Sequence, residues 1–220
     1  MTEKDRKKTK FGRKRHIAIL SVFIVVLAGV SLTYDYWLPS STQSGNIQRD
    51  VGAEQAAPKK WAERLELPGL PNLHKVSENL YRGAQPTAEG MKQLEKMGIK
   101  TVINLRSGHS DRDEIKDTRL SYEHISMTAW NPKTEDVVRF LQIVTDSSRT
   151  PVFVHCKHGA DRTGTVCAIY RIVLEGWSKE EAIEEMTKGG FEFHSIWNNL
   201  VDYIRESDIK EMAHSAELGK

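Results

Sequence analysis

Residues 152–171, VFVHCKHGADRTGTVCAIYR, contain a short apolar run, a polar loop with one glycine, and a longer helix-forming segment. The apolar run follows a proline and is typical of a central strand that is buried on both faces. A helix is predicted from about Arg162 to Glu175. The loop therefore joins the carboxyl end of a buried strand to the start of a helix, which is where α/β sheets bind ligands. Cys156 opens this loop.

Strand-like and helix-like segments alternate around this loop. Strands are predicted at 79–83, as a short edge strand, and at 100–106, 121–127 and 151–156. Helices are predicted at 87–98, 133–148, 162–175, 178–188 and 194–206. This alternation predicts a single compact α/β domain in which helices flank a mostly parallel central sheet. We place the domain at residues 61–212, with a short tail at 213–220.

The N-terminal segment has a different character. Residues 1–16 form a basic arm: the first fifteen include eight Lys or Arg and two acids, although the whole chain carries only +2. The next eighteen residues, 17–34, contain no charge, and as a helix they would span about 27 Å, close to the ~30 Å apolar core of a bilayer. Aromatic residues follow as far as Trp37, as at a membrane interface. Because the basic excess is confined to the arm, a strongly basic nucleic-acid-binding domain is disfavoured.

Three interpretations of residues 17–37 stay open. A retained transmembrane anchor is favoured by the aromatic residues, and the basic arm would then stay in the cytoplasm. A cleaved signal peptide is the main alternative, because small residues before Gly29 fit a cleavage site. A buried core helix is the third. The first two interpretations export the domain, and residues 38–60, rich in Ser, Gln, Gly and Ala, would be a flexible linker.

The loop that begins at Cys156 has the chemistry of an anion site. Its backbone N–H groups can converge on one anion, and the following helix adds the positive end of its dipole. Gly159 permits backbone geometry and a close approach that a side chain would hinder. Arg162 supplies a planar fork that can hold two phosphate oxygens. The same positive field favours a thiolate at Cys156, which is a nucleophile toward phosphorus.

Two other interpretations of Cys156 are a buried core thiol and a zinc ligand. The first does not account for the glycine, arginine and threonine that follow at fixed spacing. The second would combine His155, Cys156 and His158, but the sequence offers no second ligand cluster at a suitable spacing. A nucleophile is therefore favoured. Cys167, on the apolar side of the next helix, is predicted to pack in the core, and a disulfide with Cys156 in an oxidising compartment is the alternative.

The pattern His155-Cys156-x-x-Gly159-x-x-Arg162-Thr163 matches the HCxxGxxR(S/T) signature of cysteine-dependent phosphatases. Over about residues 70–205 the order of elements resembles the compact dual-specificity branch of the protein tyrosine phosphatase superfamily. The segments LYRGAQPT and VINLRSGHSDRDE resemble exported bacterial tyrosine phosphatases related to biofilm formation. The resemblance implies hydrolysis through a cysteinyl-phosphate without a metal or other cofactor.

The resemblance also assigns roles within the loop. Cys156 would attack phosphorus, His155 would orient the loop from behind, and Thr163 would donate its hydroxyl to the cysteine sulfur. The phosphate-binding residues that it implies are Cys156, Lys157, His158, Gly159, Ala160, Asp161 and Arg162. Lys157 and His158 are equally compatible with solvated positions and with an added positive field for substrates that carry several phosphates.

The general acid is the least determined residue. Family members carry an aspartate on a separate upstream loop, but the matching segment SMTAWNPKTED has Thr128, Ala129 and Asn131 there. Asp161 is favoured, because some relatives with a CxxGxDR loop, including lipid phosphatases, are thought to use that aspartate as the acid. Asp136 is the alternative, although it also suits the start of the following helix. A mechanism that uses neither aspartate is the third possibility.

The sequence thus predicts a phosphatase of phosphorylated proteins, with phosphotyrosine favoured over phosphoserine and phosphothreonine. It would be tethered to a bacterial inner membrane through residues 17–37, with the domain in the periplasm or outside, or it would be a soluble periplasmic form after signal cleavage. A phosphoinositide or another polyphosphorylated small molecule is the alternative substrate. An inactive phosphate-binding module is the alternative class of function, supported only by the missing upstream acid. Nothing in the sequence predicts an oligomeric state.

Three further residue groups have predictions outside the loop. Asp111 and Asp113 are predicted to begin a helix rather than to do chemistry. Arg106 is predicted either to reach the rim of the site or to form a surface ion pair with the acids of SDRDE. Trp130 is predicted either to line the entrance to the site or to be a half-buried loop aromatic.

Overall fold

The computed structural model describes residues 59–218, which lie within one compact unit of the chain. The basic arm, the predicted anchor at 17–37 and all but the end of the predicted linker lie outside the described residues. Between residues 59 and 218, no helix has the length and apolar character needed to cross a membrane.

Six strands form one sheet in the order β1-β2-β3-β6-β4-β5. They are β1 (Glu63–Arg64), β2 (His74–Lys75), β3 (Leu80–Gly83), β4 (Thr101–Arg106), β5 (Ser121–Met127) and β6 (Val152–His155). Strands β3, β6, β4 and β5 pair in parallel, whereas β1 and β2 add antiparallel pairs at one edge. The sheet is therefore mixed, although three of its five strand pairs are parallel as predicted, and β3 lies between β2 and β6 and not at an edge as the sequence suggested. The two antiparallel strands have two residues each, too few to show an apolar period in the sequence.

Seven α-helices are present among the described residues. They are α1 (Ala88–Lys96), α2 (Arg112–Ile115), α3 (Thr134–Thr145), α4 (Asp161–Glu175), α5 (Lys179–Lys188), α6 (Asn198–Glu206) and α7 (Ile209–Ser215), and a 3₁₀ turn at Ser195–Trp197 precedes α6. Every helix and strand predicted from periodicity is present, with ends shifted by a few residues. The short α2 begins beside Asp111 and Asp113, where a helix start was predicted, whereas the terminal α7 was not predicted. After α7 the chain still packs on the core, where Ala216 is buried.

The sheet is covered by apolar side chains on both faces. In β6, Phe153 packs with Met91 and its neighbours in one cluster, whereas Val152 and Val154 pack in a larger cluster on the opposite face. This alternation follows from the two-residue period of a strand. All four residues of β6 are buried, so its carboxyl end, where Cys156 follows, lies within the interior of the domain.

Helix α4 is anchored by the packing of its amino-terminal two thirds. Its residues from Thr163 to Arg171 are buried without interruption. Arg171 also forms a two-pronged ion pair with Glu185 of α5, at 2.8 Å from Nε and 2.7 Å from Nη2. The amino end of α4 is thereby held in a fixed position beside the end of β6.

Candidate active site

The loop from Cys156 to Ala160 connects β6 to α4, and we call it the phosphate loop. Cys156 is only 1% exposed and therefore lies at the bottom of the loop. Helix α4 begins at Asp161, and no side chain caps its first N–H groups, since the cap position is taken by Ala160. The free N–H groups at the start of a helix attract anions.

Four of the five carbonyl oxygens of the phosphate loop accept hydrogen bonds from donors outside the loop, and the fifth, Cys156 O, lies near His155 Nδ1. The contacts are His155 Nδ1 to Cys156 O (3.3 Å), Gln85 N to Lys157 O (3.3 Å), Asn72 Nδ2 to His158 O (2.9 Å), and Arg82 Nη2 to Gly159 O (2.7 Å) and Ala160 O (3.4 Å). We call these four residues, Asn72, Arg82, Gln85 and His155, the outer belt. They hold the loop carbonyls outward.

The outward carbonyls determine where the loop N–H groups point. In a planar trans peptide the C=O and the N–H point in opposite directions. The N–H groups of residues 157–161 therefore face the space that the loop encloses. Gly159 makes this path possible: its φ is +72°, and a Cβ there would lie 2.5 Å from the Gly83 carbonyl oxygen and 2.6 Å from Ala84 N. Only glycine fits at this position.

Behind the outer belt, Asp111 fixes the ring of His155. Both side chains are fully buried, and His155 Nε2 lies 2.7 Å from Asp111 Oδ2. Asp111 Oδ1 accepts from Gln85 Nε2 at 2.9 Å and from Asn104 Nδ2 at 3.0 Å. Burial acts to raise the pKa of Asp111, but the hydrogen bond and charge of His155, helped by Gln85, outweigh it and lower that pKa. The carboxylate therefore stays ionised and acts as an acceptor.

The structure also places Asp111, Asp113 and Arg106, of which only Arg106 was left with two alternatives by the sequence. Asp111 precedes α2, as predicted, but its side chain does not cap that helix. Asp113 lies in the first turn of α2 and is exposed. Arg106 Nη1 donates to Gln85 Oε1 at 2.8 Å, so Arg106 supports the network through Gln85.

Arg82 is the largest fully buried side chain of the described domain. Its guanidinium lies 3.8 Å from the centre of the Phe191 ring, and its Nε has no hydrogen-bond partner among the described residues. Burial lowers the pKa of Arg82, and interactions with Cys167, Glu185 and Cys156 oppose that shift. A positive charge therefore lies directly behind the phosphate loop, close enough to act on Cys156.

Arg162 and Thr163 occupy the first turn of α4. Arg162 is half-buried, and its Nη1 lies 3.4 Å from the carbonyl oxygens of Leu105 and Met127, at the carboxyl ends of β4 and β5. Thr163 is fully buried, and its hydroxyl has no hydrogen-bond partner among residues 59–218. The Thr163 hydroxyl is thus a donor that no other group of the described chain uses.

Asp161 faces His194, which the sequence did not single out. The Asp161 side chain is only 9% exposed. Its Oδ1 accepts from the backbone N–H of His194 at 3.0 Å, and His194 Nδ1 lies 3.1 Å from Oδ1 and 3.0 Å from Oδ2. The carboxylate is therefore held at the edge of the phosphate loop by a segment from beyond α5.

Asp136 lies in the first turn of α3 and is partly buried, and this burial raises its pKa. The loop between β5 and α3 starts at Met127, whose carbonyl Arg162 contacts, and Asn199 Nδ2 of α6 holds Ala129 O at 2.7 Å. Trp130 is 69% exposed on this loop. Trp130 is therefore a solvent-facing aromatic and not a half-buried one.

The second cysteine is separate from this chemistry. Cys167 is 2% exposed within the larger apolar cluster, which confirms the core position predicted for it. Burial raises its pKa to about 11, so Cys167 is a neutral thiol at neutral pH. Both cysteines are free.

Comparisons with known proteins identify relatives of this arrangement. A family profile described as "DSP-PTPase phosphatase fused to NAD+ Kinase" matches residues 70–201. The dual specificity protein phosphatase TpbA of Pseudomonas aeruginosa (strain UCBPP-PA14) is 34% identical over 160 residues, or 71% of this chain and 72% of TpbA. The crystal structure of P. aeruginosa TpbA matches with a TM-score of 0.65 at 31% identity, over 73% of this chain and 98% of that chain.

Two further crystal structures extend the comparison. One is P. aeruginosa TpbA in complex with pTyr, with a TM-score of 0.65 at 31% identity, covering 74% of this chain and 99% of that chain. The other is the core catalytic domain of the PP-IP phosphatase SIW14 from S. cerevisiae, with a TM-score of 0.57 at 19% identity, covering 70% of this chain and 98% of that chain. The second likeness shows a shared fold alone.

Proposed function

Because the chain belongs to the dual-specificity branch of the cysteine-dependent protein tyrosine phosphatase superfamily, we propose that it hydrolyses phosphotyrosine in proteins through a cysteinyl-phosphate. The observation that carries this proposal is the set of inward N–H groups at residues 157–161 around a buried cysteine. Five amide donors and Arg162 match the oxygens of a phosphoryl group. The buried Arg82 adds positive potential behind the loop, on the side of the loop that faces away from the phosphoryl group.

In the first step the Cys156 sulfur forms a bond to phosphorus while the bond from phosphorus to the tyrosine oxygen breaks. The leaving oxygen takes a proton, which we assign to Asp161, because its carboxyl group lies at the edge of the phosphate loop. In the second step a water molecule attacks phosphorus, Asp161 accepts a proton from that water, and the sulfur leaves as a thiolate. The unused Thr163 hydroxyl is placed to donate to that sulfur. His155 acts only through the loop that it orients.

Phosphotyrosine is the favoured substrate for two reasons. A relative at 31% identity binds pTyr in its crystal structure, and the exposed Trp130 offers an aromatic surface for the part of the substrate outside the phosphate loop. Lys157 and His158 are both exposed on the loop and would suit a substrate with additional phosphates. A polyphosphorylated small molecule is therefore the second candidate substrate.

The full chain, assayed with a phosphotyrosine peptide, tests the mechanism. We expect Cys156→Ser to abolish phosphate release and Cys167→Ala, the matched cysteine control, to retain it. Asp161→Asn should lower kcat by roughly 10²–10⁴-fold, whereas Asp136→Asn should change it little. If Asp136→Asn lowers kcat more than Asp161→Asn does, the general acid is Asp136 of α3 and not Asp161. A wild-type chain that binds the peptide but releases no phosphate would be an inactive phosphate-binding module.

The same assay ranks the substrates. We expect kcat/KM to be higher for the phosphotyrosine peptide than for phosphoserine or phosphothreonine peptides of the same sequence. If an inositol polyphosphate has a higher kcat/KM than all three peptides, the substrate is a polyphosphorylated small molecule and not a protein.

We also propose that the domain acts outside the cytoplasmic membrane of a bacterium, anchored through residues 17–37 or released after signal cleavage. This location rests on the basic arm and the uncharged segment of the sequence. Protease added to intact spheroplasts should digest the domain if it is anchored. If the signal is cleaved, the domain should be in the fraction released when the spheroplasts are prepared. A domain protected until the spheroplasts are lysed would contradict export.

A further inference from the structure

His158, Asp161 and His194 bring three metal-binding side chains together beside the phosphate loop. One ligand atom from each lies within 4.8 Å of the other two. His194 Nδ1 is already 3.0–3.1 Å from the two Asp161 oxygens, and the rings of His158 and His194 have centroids 5.1 Å apart. We propose that these three residues bind Zn²⁺ and that the bound ion inhibits the enzyme.

The geometry fits zinc with a small adjustment. Zinc bonds of about 2.0–2.2 Å in a tetrahedron place ligand atoms roughly 3.3 Å apart. The pair of Asp161 and His194 meets this spacing as it stands. His158 is exposed, and because its ligand atom lies within 4.8 Å of the other two, a movement of at most about 1.5 Å brings it to the same spacing. Two imidazoles and one carboxylate leave a fourth position for water, as in open zinc sites.

Asp161 is held in place independently of the imidazole that it contacts. The backbone N–H of His194 donates to Asp161 Oδ1 at 3.0 Å. The carboxylate therefore keeps its orientation when His194 Nδ1 exchanges its hydrogen bond for a metal ion. A ligand fixed before the ion arrives reduces the ordering cost of binding.

A second cluster, formed by His109, Asp111 and Glu114, has the same types of ligand. There, however, the Asp111 oxygens already accept from His155, Gln85 and Asn104. An ion at that place would compete with the network that orients the phosphate loop. We therefore assign the ion to the cluster that contains His194.

The inhibitory effect rests on the proposed function of Asp161, whereas the binding of zinc does not. Zinc would occupy the lone pairs with which Asp161 accepts and returns a proton, so the leaving oxygen would lose its acid. The ion would also tie two residues of the loop region, His158 and Asp161, to the segment before α6. The hydrolysis itself uses no metal, and zinc acts here as a regulator.

Binding is tested with Co²⁺, whose visible absorption reports on its ligands. The experiment uses the full chain with Cys156→Ser, which removes the active-site thiolate as a competing ligand. We expect one Co²⁺ to bind per chain and Zn²⁺ to displace it. His194→Ala or His158→Ala should raise the Kd for Co²⁺ about tenfold or more. His109→Ala, in the second cluster, and His214→Ala, at an exposed position of α7, are the controls and should leave the Kd unchanged. Loss of the absorption with His109→Ala, or an unchanged Kd with His194→Ala, would overturn the site.

Inhibition is tested separately, with p-nitrophenyl phosphate and the wild-type cysteine. Each chain is compared with and without Zn²⁺, so that any change in its basal rate cancels. We expect the inhibitory Zn²⁺ concentration to rise at least about tenfold in His194→Ala relative to His109→Ala. Equal inhibition of the two variants would refute the inhibitory role, even with the binding site intact. A wild-type chain that binds Co²⁺ but has no activity would refute the proposed function and leave the metal site standing.

Discussion

Replacement of Asp111 by asparagine tests how far a buried carboxylate behind the phosphate loop supports catalysis. The variant keeps the shape of the side chain, and its remaining oxygen can still accept from Gln85 and Asn104. The atom that faces His155 Nε2 at 2.7 Å becomes an NH₂ group. The charge-assisted hydrogen bond to His155 is therefore lost.

The size of the effect follows from the kinds of hydrogen bond exchanged. A hydrogen bond to an ionised group contributes about 1.5–3 kcal/mol, and a neutral one about 0.5–1.5 kcal/mol. His155 can adopt the tautomer that accepts from the new amide, which recovers a neutral bond. We therefore expect the free energy of unfolding to fall by about 1–2 kcal/mol. If the loop loses the same energy in the transition state, kcat/KM falls roughly 5–30-fold.

The assay compares the full chain with Asp111→Asn and with Asp113→Asn. The control makes the same chemical change two residues away on an exposed side chain. Urea unfolding gives the stability of each chain, and p-nitrophenyl phosphate hydrolysis gives kcat/KM under conditions where all three are folded. If Asp111→Asn loses stability but keeps the kcat/KM of Asp113→Asn, the carboxylate supports the fold and not the loop, and the reasoning fails.

The same carboxylate predicts a pH dependence of stability. Its pKa is lowered in the folded protein, so the unfolded chain takes up the proton first as the pH falls. The stabilising contribution is complete above the unfolded value of about 3.9 and is lost as the pH falls through the lower folded value. The difference in unfolding free energy between wild type and Asp111→Asn should therefore shrink below about pH 4. A difference that stays constant from pH 7 to pH 3 would contradict this.

Two further predictions concern the loop and its surroundings. Gly159→Ala and Gly108→Ala both place a side chain at φ +72°, but only the first brings the new Cβ into contact with other atoms, at 2.5 Å. Gly159→Ala should therefore lower activity, and it should lower the free energy of unfolding by at least ~1 kcal/mol more than Gly108→Ala, the control. Activity assays and urea unfolding measure the two effects. Trp130→Ala should raise KM for a phosphotyrosine peptide several-fold and leave kcat/KM for p-nitrophenyl phosphate unchanged, because Trp130 is 69% exposed. Trp61→Ala, at 41% exposure, is its control, and equal KM values for the two variants would exclude a substrate contact.

The position of the phosphate loop and the central strands could be predicted because their signals are local. Cys156, Gly159, Arg162 and Thr163 lie within eight consecutive residues, and β6 shows its burial as a continuous apolar run. The short strands β1 and β2 could not be predicted, since the pairing of β1 with β2 and of β2 with β3, and not their own composition, makes them strands. Their antiparallel direction is likewise set by the tertiary fold.

Apart from His155, the outer belt could not be predicted, because the contacts of Asn72, Arg82 and Gln85 join distant parts of the sequence. Asn72 lies 86 residues before the loop carbonyl that it holds, and Arg82 lies 77 residues before its own. The segment LYRGAQPT contains both Arg82 and Gln85, so the motif was visible although its contacts were not. Asp111 was predicted as the start of a helix from its local context, and its 44-residue separation from His155 concealed its second role.

The outer belt explains how the N–H groups of the phosphate loop can be oriented toward one point without a bound anion. Arg82 places its charge against the outward carbonyls of Gly159 and Ala160, and the N–H groups of the same peptides point the other way. Each peptide dipole is therefore aligned by the arginine behind it, so that its positive end faces the enclosed space. The buried charge is costly while the loop is empty, and a bound phosphate offsets that cost. The loop is thus preorganised for an anion before the anion binds, which is the condition under which such donors accelerate a reaction most.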